Sequence, residues 1–97
     1  MNTTVLQVIK FDEDNLYTGF EKDFDLPHPP NKDVVYTDRV RFGDDYMEKA
    51  FSIEDITYDI EKDNYFVRAR NYVTFAKRKD VQHDYERSGW RTVFGGG

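Results

Sequence analysis

Residues 55–75 read DITYDIEKDNYFVRARNYVTF, and apolar side chains alternate with polar ones on both sides of a central polar run. Such a period of two is typical of β-strands, because successive side chains of a strand point to opposite faces of the sheet. The central run, Lys62-Asp-Asn64, is rich in turn-forming residues. We therefore predict an antiparallel hairpin.

Two registers of this hairpin fit the sequence. A two-residue turn at Asp63-Asn64 pairs Ile60 with Val67, whereas a four-residue turn over residues 61–64 pairs Ile60 with Tyr65. The registers differ by an even number of residues, so both bury the same apolar face. The side chains predicted to lie on that inner face are Ile56, Tyr58, Ile60, Val67 and Ala69.

The opposite face of the returning strand carries arginines between aromatic rings, and more cations follow along the chain. We predict a partner-binding surface built from Phe66, Arg68, Arg70, Tyr72, Lys77, Arg78, Trp90 and Arg91. Single-stranded nucleic-acid platforms also place aromatic rings between cations, because bases stack while phosphates pair with the cations. In the simpler alternative, the cations neutralise the carboxylates across the hairpin, which belong to Asp55, Asp59 and Glu61.

Segments before the hairpin predict further strands. Residues 5–11 and 34–42 are rich in β-branched and aromatic residues, and the polar run 12–15 forms a turn after the first of them. Residues 16–24 fit either a second strand or an ordered loop. Prolines hold residues 26–30 in an extended surface crossing.

One short helix is an alternative just before the hairpin. After a turn at residues 43–45, Asp45 and Glu48 have the spacing of a capping box, which favours a short helix over residues 45–51. The same residues also fit a loop that leads into a strand at Phe51.

A second helix and a last strand are predicted near the C-terminus. Asp80 caps a helix that runs to about Arg87, and Gly89 ends it. Alternation over residues 90–94 then predicts a short strand.

Together these segments predict one mainly β (α+β) domain over residues 1–94, followed by a flexible glycine tail at residues 95–97. A small antiparallel sheet or SH3-like barrel of about five strands, with one or two short helices, fits the pattern. A β-grasp sheet is the alternative, provided that residues 45–51 form a helix packed on the sheet.

Composition narrows the classes of function. The 97 residues include no cysteine, which excludes disulfides, thiolate metal sites and thiol catalysis. The sequence shows no signal-peptide pattern and no apolar run near the roughly 20 residues of a membrane span, so we expect a cytoplasmic protein without membrane contact. His28 and His83 are too few for a zinc site, and no serine lies in a nucleophile motif. We therefore expect no enzyme activity, metal or cofactor.

Charge is divided along the chain. The first 64 residues carry 16 Asp and Glu against 7 Lys and Arg, whereas the remaining residues carry 7 Lys and Arg against 3 Asp and Glu. The predicted acidic face consists of Asp12, Glu13, Asp14, Asp44 and Asp45. Such a face can mimic the charge of nucleic acid and occupy a basic groove of an enzyme, or it can simply keep an aromatic-rich domain in solution.

The chain ends in Gly95-Gly-Gly97 after a strand-like segment. The last two glycines resemble the ends of ubiquitin-like modifiers and sulfur carriers. That resemblance implies conjugation through Gly97, although it covers the final glycines alone.

The function expected from these features is that of a small acidic, non-catalytic protein-binding module, such as an accessory factor or a phage-type inhibitor that modulates a partner protein. Two alternatives stay open. One is a ubiquitin-like modifier or carrier that uses its glycine tail, and the other is a small barrel that binds single-stranded nucleic acid.

Overall fold

A computed structural model describes all 97 residues. The chain forms one seven-stranded sheet with a single helix. The strands are β1 (Asn2–Phe11), β2 (Leu16–Asp25), β3 (Val35–Phe42), β4 (Asp45–Asp59), β5 (Asn64–Ala69), β6 (Tyr72–Thr74) and β7 (Arg91–Phe94). Helix α1 (Arg78–Glu86) lies between the last two strands. The prediction of a mainly β fold with one or two short helices is confirmed, although the structure has seven strands rather than about five.

The sheet has the strand order β3-β4-β5-β1-β2-β7. The short strand β6 pairs with the C-terminal part of β1, beyond the part that pairs with β5. The pairs β1–β2, β2–β7, β3–β4 and β4–β5 are antiparallel, whereas β1 pairs with β5 and β6 in parallel. The sheet curls into an open half-barrel, which agrees with the barrel-like prediction.

Strand β1 shows how the two faces of the sheet differ. Its odd-numbered residues from Thr3 to Phe11 are buried, and its even-numbered residues from Thr4 to Lys10 are half-buried. Because side chains alternate along a strand, the odd positions define the concave inner face and the even positions the convex outer face. The core therefore lies inside the curl.

Helix α1 covers one end of the inner face. Its buried residues are Val81 and Tyr85, and the Tyr85 ring stacks on Phe20 with 4.7 Å between ring centroids. The Tyr85 hydroxyl lies 2.9 Å from that of Tyr72. The helix begins earlier than predicted, because Lys77 rather than Asp80 occupies the N-cap position.

The hairpin of β4 and β5 is confirmed, but both predicted registers are wrong. Asp59 faces Asn64 and Tyr58 faces Tyr65, so the turn comprises residues 60–63. The turn lies closer to the N-terminus than predicted. A carboxylate oxygen of Asp59 stabilises it there by accepting hydrogen bonds from the N–H groups of Glu61 and Lys62.

This register differs from the predicted ones by an even number of residues, so the same side chains face inward. The inward side chains nearest the turn extend beyond the core and are exposed. Val67 and Ala69 are buried and Ile56 is half-buried, as predicted. Tyr58 is 42% exposed, and Ile60, which lies in the turn, is 83% exposed.

Residues 45–51 form the first part of β4, so the predicted helix is wrong. Gly43 has a φ of 59°, which lets Gly43 and Asp44 make a two-residue turn between Phe42 and Asp45. Cross-strand pairing with β3 then continues along the whole segment. Without a helix there, the condition for the β-grasp alternative is not met.

Side chains close the gap between the two sides of the half-barrel. Lys22 on β2 donates to a carboxylate oxygen of Asp38 on β3 at 3.0 Å, and the Trp90 indole N–H donates to the same oxygen at 3.0 Å. Lys22 also donates to the Ser88 carbonyl at 2.9 Å. These bonds fasten β3 to β2 and to the segment between α1 and β7.

Candidate binding surfaces

The predicted partner-binding residues do not share one surface. Trp90 is only 4% exposed, because its ring packs against the core and its N–H binds Asp38. Tyr72 points inward instead of outward. The cause is one extra residue between β5 and β6. Val5 faces Val67 and Ile9 faces Tyr72, so the chain advances five residues from β5 to β6 while β1 advances four.

Most of the remaining cations of that set lie in ion pairs within the molecule. Arg68 contacts Asp55 at 2.5 Å, and Arg70 contacts Glu54 at 3.5 Å. Arg91 contacts both Glu21 and Asp23, on β2, at 3.1 and 3.2 Å. Phe66 and Lys77 are exposed. Arg91, which lines the same hollow as Phe66, is already ion-paired.

Arg78 fastens the start of α1 to the turn between β1 and β2. Its guanidinium makes two hydrogen bonds to Asp14, of 2.6 and 2.8 Å, and a third of 3.0 Å to the Thr18 hydroxyl. Its backbone N–H donates to Glu13 at 3.2 Å. The hydrogen bonds from Arg78 hold the pKa of the Asp14 carboxyl below its usual range. Arg78 therefore has a structural role.

The acidic residues singled out from the sequence lie at two separate turns, with Asp45 at the start of β4. The turn that contains Asp14 meets the start of α1 through Arg78. The turn that contains Asp44 meets the end of the helix, where Arg87 donates to the Gly43 carbonyl. Nine helical residues at 1.5 Å each separate these turns by roughly 13 Å. The chain contains no group of three or more His, Asp and Glu side chains arranged to hold a metal ion.

The glycine tail contacts the body of the protein. The Gly95 carbonyl accepts a hydrogen bond of 2.8 Å from Thr18, and the Gly97 N–H donates to the Gln82 side chain at 3.1 Å. Gly95 has a φ of 69°, and a Cβ there would lie 2.1 Å from the Tyr17 carbonyl oxygen. The close approach of the tail to β2 thus requires glycine.

A different surface, the outer edge of β3, has unused backbone groups. The two-residue turn makes Phe42 and Asp45 a hydrogen-bonded pair, so the even-numbered residues of β3 bond to β4. The odd-numbered residues point away from β4. Accordingly, the Arg41 N–H donates to the Ser88 hydroxyl at 2.8 Å.

Three other odd-numbered residues of β3 have no such partner: Val35, Thr37 and Arg39. All three are exposed, and no turn, loop or side chain makes a hydrogen bond to their N–H or C=O groups. A strand edge of this kind can pair with another chain. We call residues 35–39 the open edge.

The outer side of the open edge carries two arginines without an acidic partner. Of the seven arginines, only Arg39 and Arg41 have no carboxylate within 4.0 Å. Their guanidinium carbons lie 5.9 and 5.7 Å from the Tyr46 ring centroid. The Arg41 Nε is enclosed and has no hydrogen-bond partner. Neither guanidinium is therefore neutralised by an ion pair within the molecule.

The inner side of the open edge adjoins an apolar hollow. Its volume is about 50 Å³. The lining residues nearest the edge are Phe24, Leu26, Pro30, Tyr36 and Thr37. The edge thus combines free backbone groups, cations on one side and an apolar hollow on the other.

Sequence analysis did not single out Arg39 and Arg41 as site residues, although side-chain alternation along the predicted strand 34–42 places both on one face. Their surroundings depend on the register of β4, which sets Glu48 opposite Arg39 and Tyr46 opposite Arg41. Residues 45–51 were predicted as a helix or a loop. Comparisons of the chain with protein-family models, with curated proteins and with solved structures found no significant match. The only helix is too short and too polar to cross a membrane.

Proposed function

We propose that this chain is a small, non-catalytic protein-binding module that takes an extended segment of a partner protein along the open edge. Binding of this kind would let the module modulate the partner, as an accessory factor or inhibitor does. The absence of cysteine fits work in a reducing compartment such as the cytoplasm.

The observation that carries this proposal is the row of unpaired backbone groups at Val35, Thr37 and Arg39. An added strand gains affinity from main-chain hydrogen bonds and specificity from the pockets that receive its alternate side chains. The open edge offers both, since the apolar hollow opens beside Thr37.

Three rival functions have weaker support in the geometry. Nucleic-acid binding through the hairpin needs free cations, whereas Arg68 and Arg91 are neutralised within the molecule. Charge mimicry is best served by one continuous acidic surface, and the acidic turns lie at opposite ends of α1. Conjugation through Gly97 needs a tail that can thread into an activating enzyme, whereas this tail is hydrogen-bonded to Gln82.

The test is affinity capture from lysate with the intact chain and with Thr37→Pro, read by quantitative mass spectrometry. Proline removes the N–H at the centre of the open edge, and an edge strand tolerates it where that N–H faces solvent. We expect the wild-type chain to retain specific proteins that Thr37→Pro loses, with similar thermal unfolding of the two chains.

Lys77→Pro is the matched control, because Lys77 already has a proline-like φ of −76° and lies at the start of α1, away from the open edge. This variant should capture the same proteins as the wild type. Capture that survives Thr37→Pro, or that Lys77→Pro abolishes as well, would contradict a role for the open edge.

A further inference from the structure

We infer, on the basis of the proposed function, that the segment bound at the open edge is acidic: an extended peptide with carboxylates on one side and apolar side chains on the other. The juxtaposition that leads to this inference is that of Arg39 and Arg41 with the free backbone groups of the same strand.

The backbone sets the length and position of the bound segment. Beyond Arg39 the edge is closed, because Ser88 accepts the Arg41 N–H at 2.8 Å and Arg87 reaches the Arg41 carbonyl at 3.5 Å. The open part covers residues 35–39, which at about 3.4 Å per residue amounts to roughly 17 Å. An incoming strand of about five residues can therefore pair there.

The outer side of the edge selects for charge. A paired strand lies about 4.8 Å away, so its outward side chains come directly beside those of Val35, Thr37 and Arg39. Arg41 is the next outward residue along β3, just beyond the paired part. Arginine favours carboxylates because its guanidinium presents several donors in a fixed plane. Contact with the Tyr46 ring positions both guanidinium groups before a ligand arrives. Carboxylates at alternate positions of the segment would meet these cations.

The inner side selects for apolar residues. Side chains that point inward from the added strand lie next to Tyr36 and above the hollow lined by Leu26 and Pro30. Burial of apolar surface in such a hollow is favourable. The complementary segment thus alternates acidic and apolar residues.

Two other occupants fit less well. A second copy of this chain, paired edge to edge, would place its own Arg39 and Arg41 on the same outer side, where like charges repel. A single-stranded nucleic acid would use the two arginines but not the free N–H and C=O groups of the edge, and the net charge of −5 opposes it at long range.

The experiment is an NMR titration of the intact chain with two capped peptides, Glu-Val-Glu-Val-Glu-Val-Glu and its lysine counterpart. We expect the glutamate peptide to bind at least tenfold more tightly and to shift the amide signals of Thr37 and Arg39. The double variant Arg39→Glu/Arg41→Glu should reverse the preference between the peptides. Lys62→Glu/Lys77→Glu, which reverses two exposed charges away from the open edge, should leave the preference intact.

The outcomes separate this inference from the proposed function. Equal affinity for both peptides that is lost in Thr37→Pro would overturn the acidic preference and leave edge binding standing. Failure of both peptides to bind, or binding unaffected by Thr37→Pro, would overturn both. Self-association abolished by Thr37→Pro would assign the edge to a second copy. Binding of a ten-nucleotide oligothymidylate that needs Arg39 and Arg41 but not the Thr37 N–H would assign the arginines to nucleic acid.

Discussion

At the scale of single residues, the carboxylate of Asp38 joins the two sides of the half-barrel. One of its oxygens accepts hydrogen bonds from Lys22 and Trp90, each at 3.0 Å. The Asp38 side chain is 15% exposed and that of Lys22 is 23% exposed, so solvent screens this pair less than it screens a surface pair.

We expect Asp38→Ala to lower the free energy of unfolding by about 2–4 kcal/mol, because two donors lose their acceptor in a partly buried place. Asp38→Asn should cost less, since its amide oxygen can still accept a hydrogen bond. Urea unfolding measures both changes. Asp44→Ala, which removes an exposed carboxylate, should cost less than about 0.5 kcal/mol. An equal cost for Asp38→Ala and Asp44→Ala would contradict this role.

A second residue-scale prediction concerns alkaline pH. Burial raises the pKa of both Tyr72 and Tyr85. The folded protein therefore keeps these protons at pH values where the unfolded chain, with tyrosine pKa near 10, releases them. Stability should be constant up to about pH 10 and fall above it.

Urea unfolding between about pH 8 and 11.5 measures this slope. Tyr85→Phe removes one of the buried hydroxyls and should flatten the fall, whatever its cost at neutral pH. Tyr17→Phe, a change at an exposed ring, is the control and should keep the wild-type slope. A steep fall that persists in Tyr85→Phe would argue against the buried pair as its cause.

At the scale of elements, the attachment of β7 depends on the absence of a side chain at Gly19. Gly19 faces Phe94, and a Cβ on Gly19 would lie 2.2 Å from the Phe94 ring. The ring thus lies directly on the glycine and covers the outer face of β2.

We expect Gly19→Ala to displace the Phe94 ring and to destabilise the protein by about 1–3 kcal/mol, as overpacking does. In a Phe94→Ala background the same change should cost much less, because the clash has been removed. A double-mutant cycle by urea unfolding gives the coupling between the two sites. Additive effects would show that the ring does not depend on the glycine.

The β4–β5 hairpin shows which part of an element the sequence can predict. The period of two identified both strands and the inward face, because these depend on local pattern alone. The turn position was not predictable, since it depends on the bonds that Asp59 makes to Glu61 and Lys62.

The exposure of Ile60 in that turn has a direct test. Ile60→Ser should change the free energy of unfolding by less than about 0.5 kcal/mol. Val67→Ala, at a fully buried position of the same hairpin, should cost about 2–3 kcal/mol because it leaves a cavity. Comparable costs for the two variants would mean that Ile60 is packed in the core.

At the scale of the whole molecule, the fold class was predictable and the arrangement of strands was not. Strand-forming segments are local features, and most of them were predicted, although residues 45–51 of β4 were assigned to a helix or a loop. The parallel pairing of β1 with β5 and the Asp38 contacts join residues far apart in sequence, and no local pattern encodes such pairs. The candidate site depends on this arrangement. Arg39 and Arg41 are distinctive because each of the other five arginines contacts a carboxylate in the folded protein.

Residue-resolved amide hydrogen exchange along β3, with and without the Glu-Val peptide, tests the open edge most directly. In the free protein, the amides of Tyr36, Asp38 and Val40 should be protected by β4, whereas those of Thr37 and Arg39 should exchange rapidly. The peptide should protect Thr37 and Arg39. Protection of these two amides in the free protein, or rapid exchange that the bound peptide leaves unchanged, would contradict strand addition at this edge.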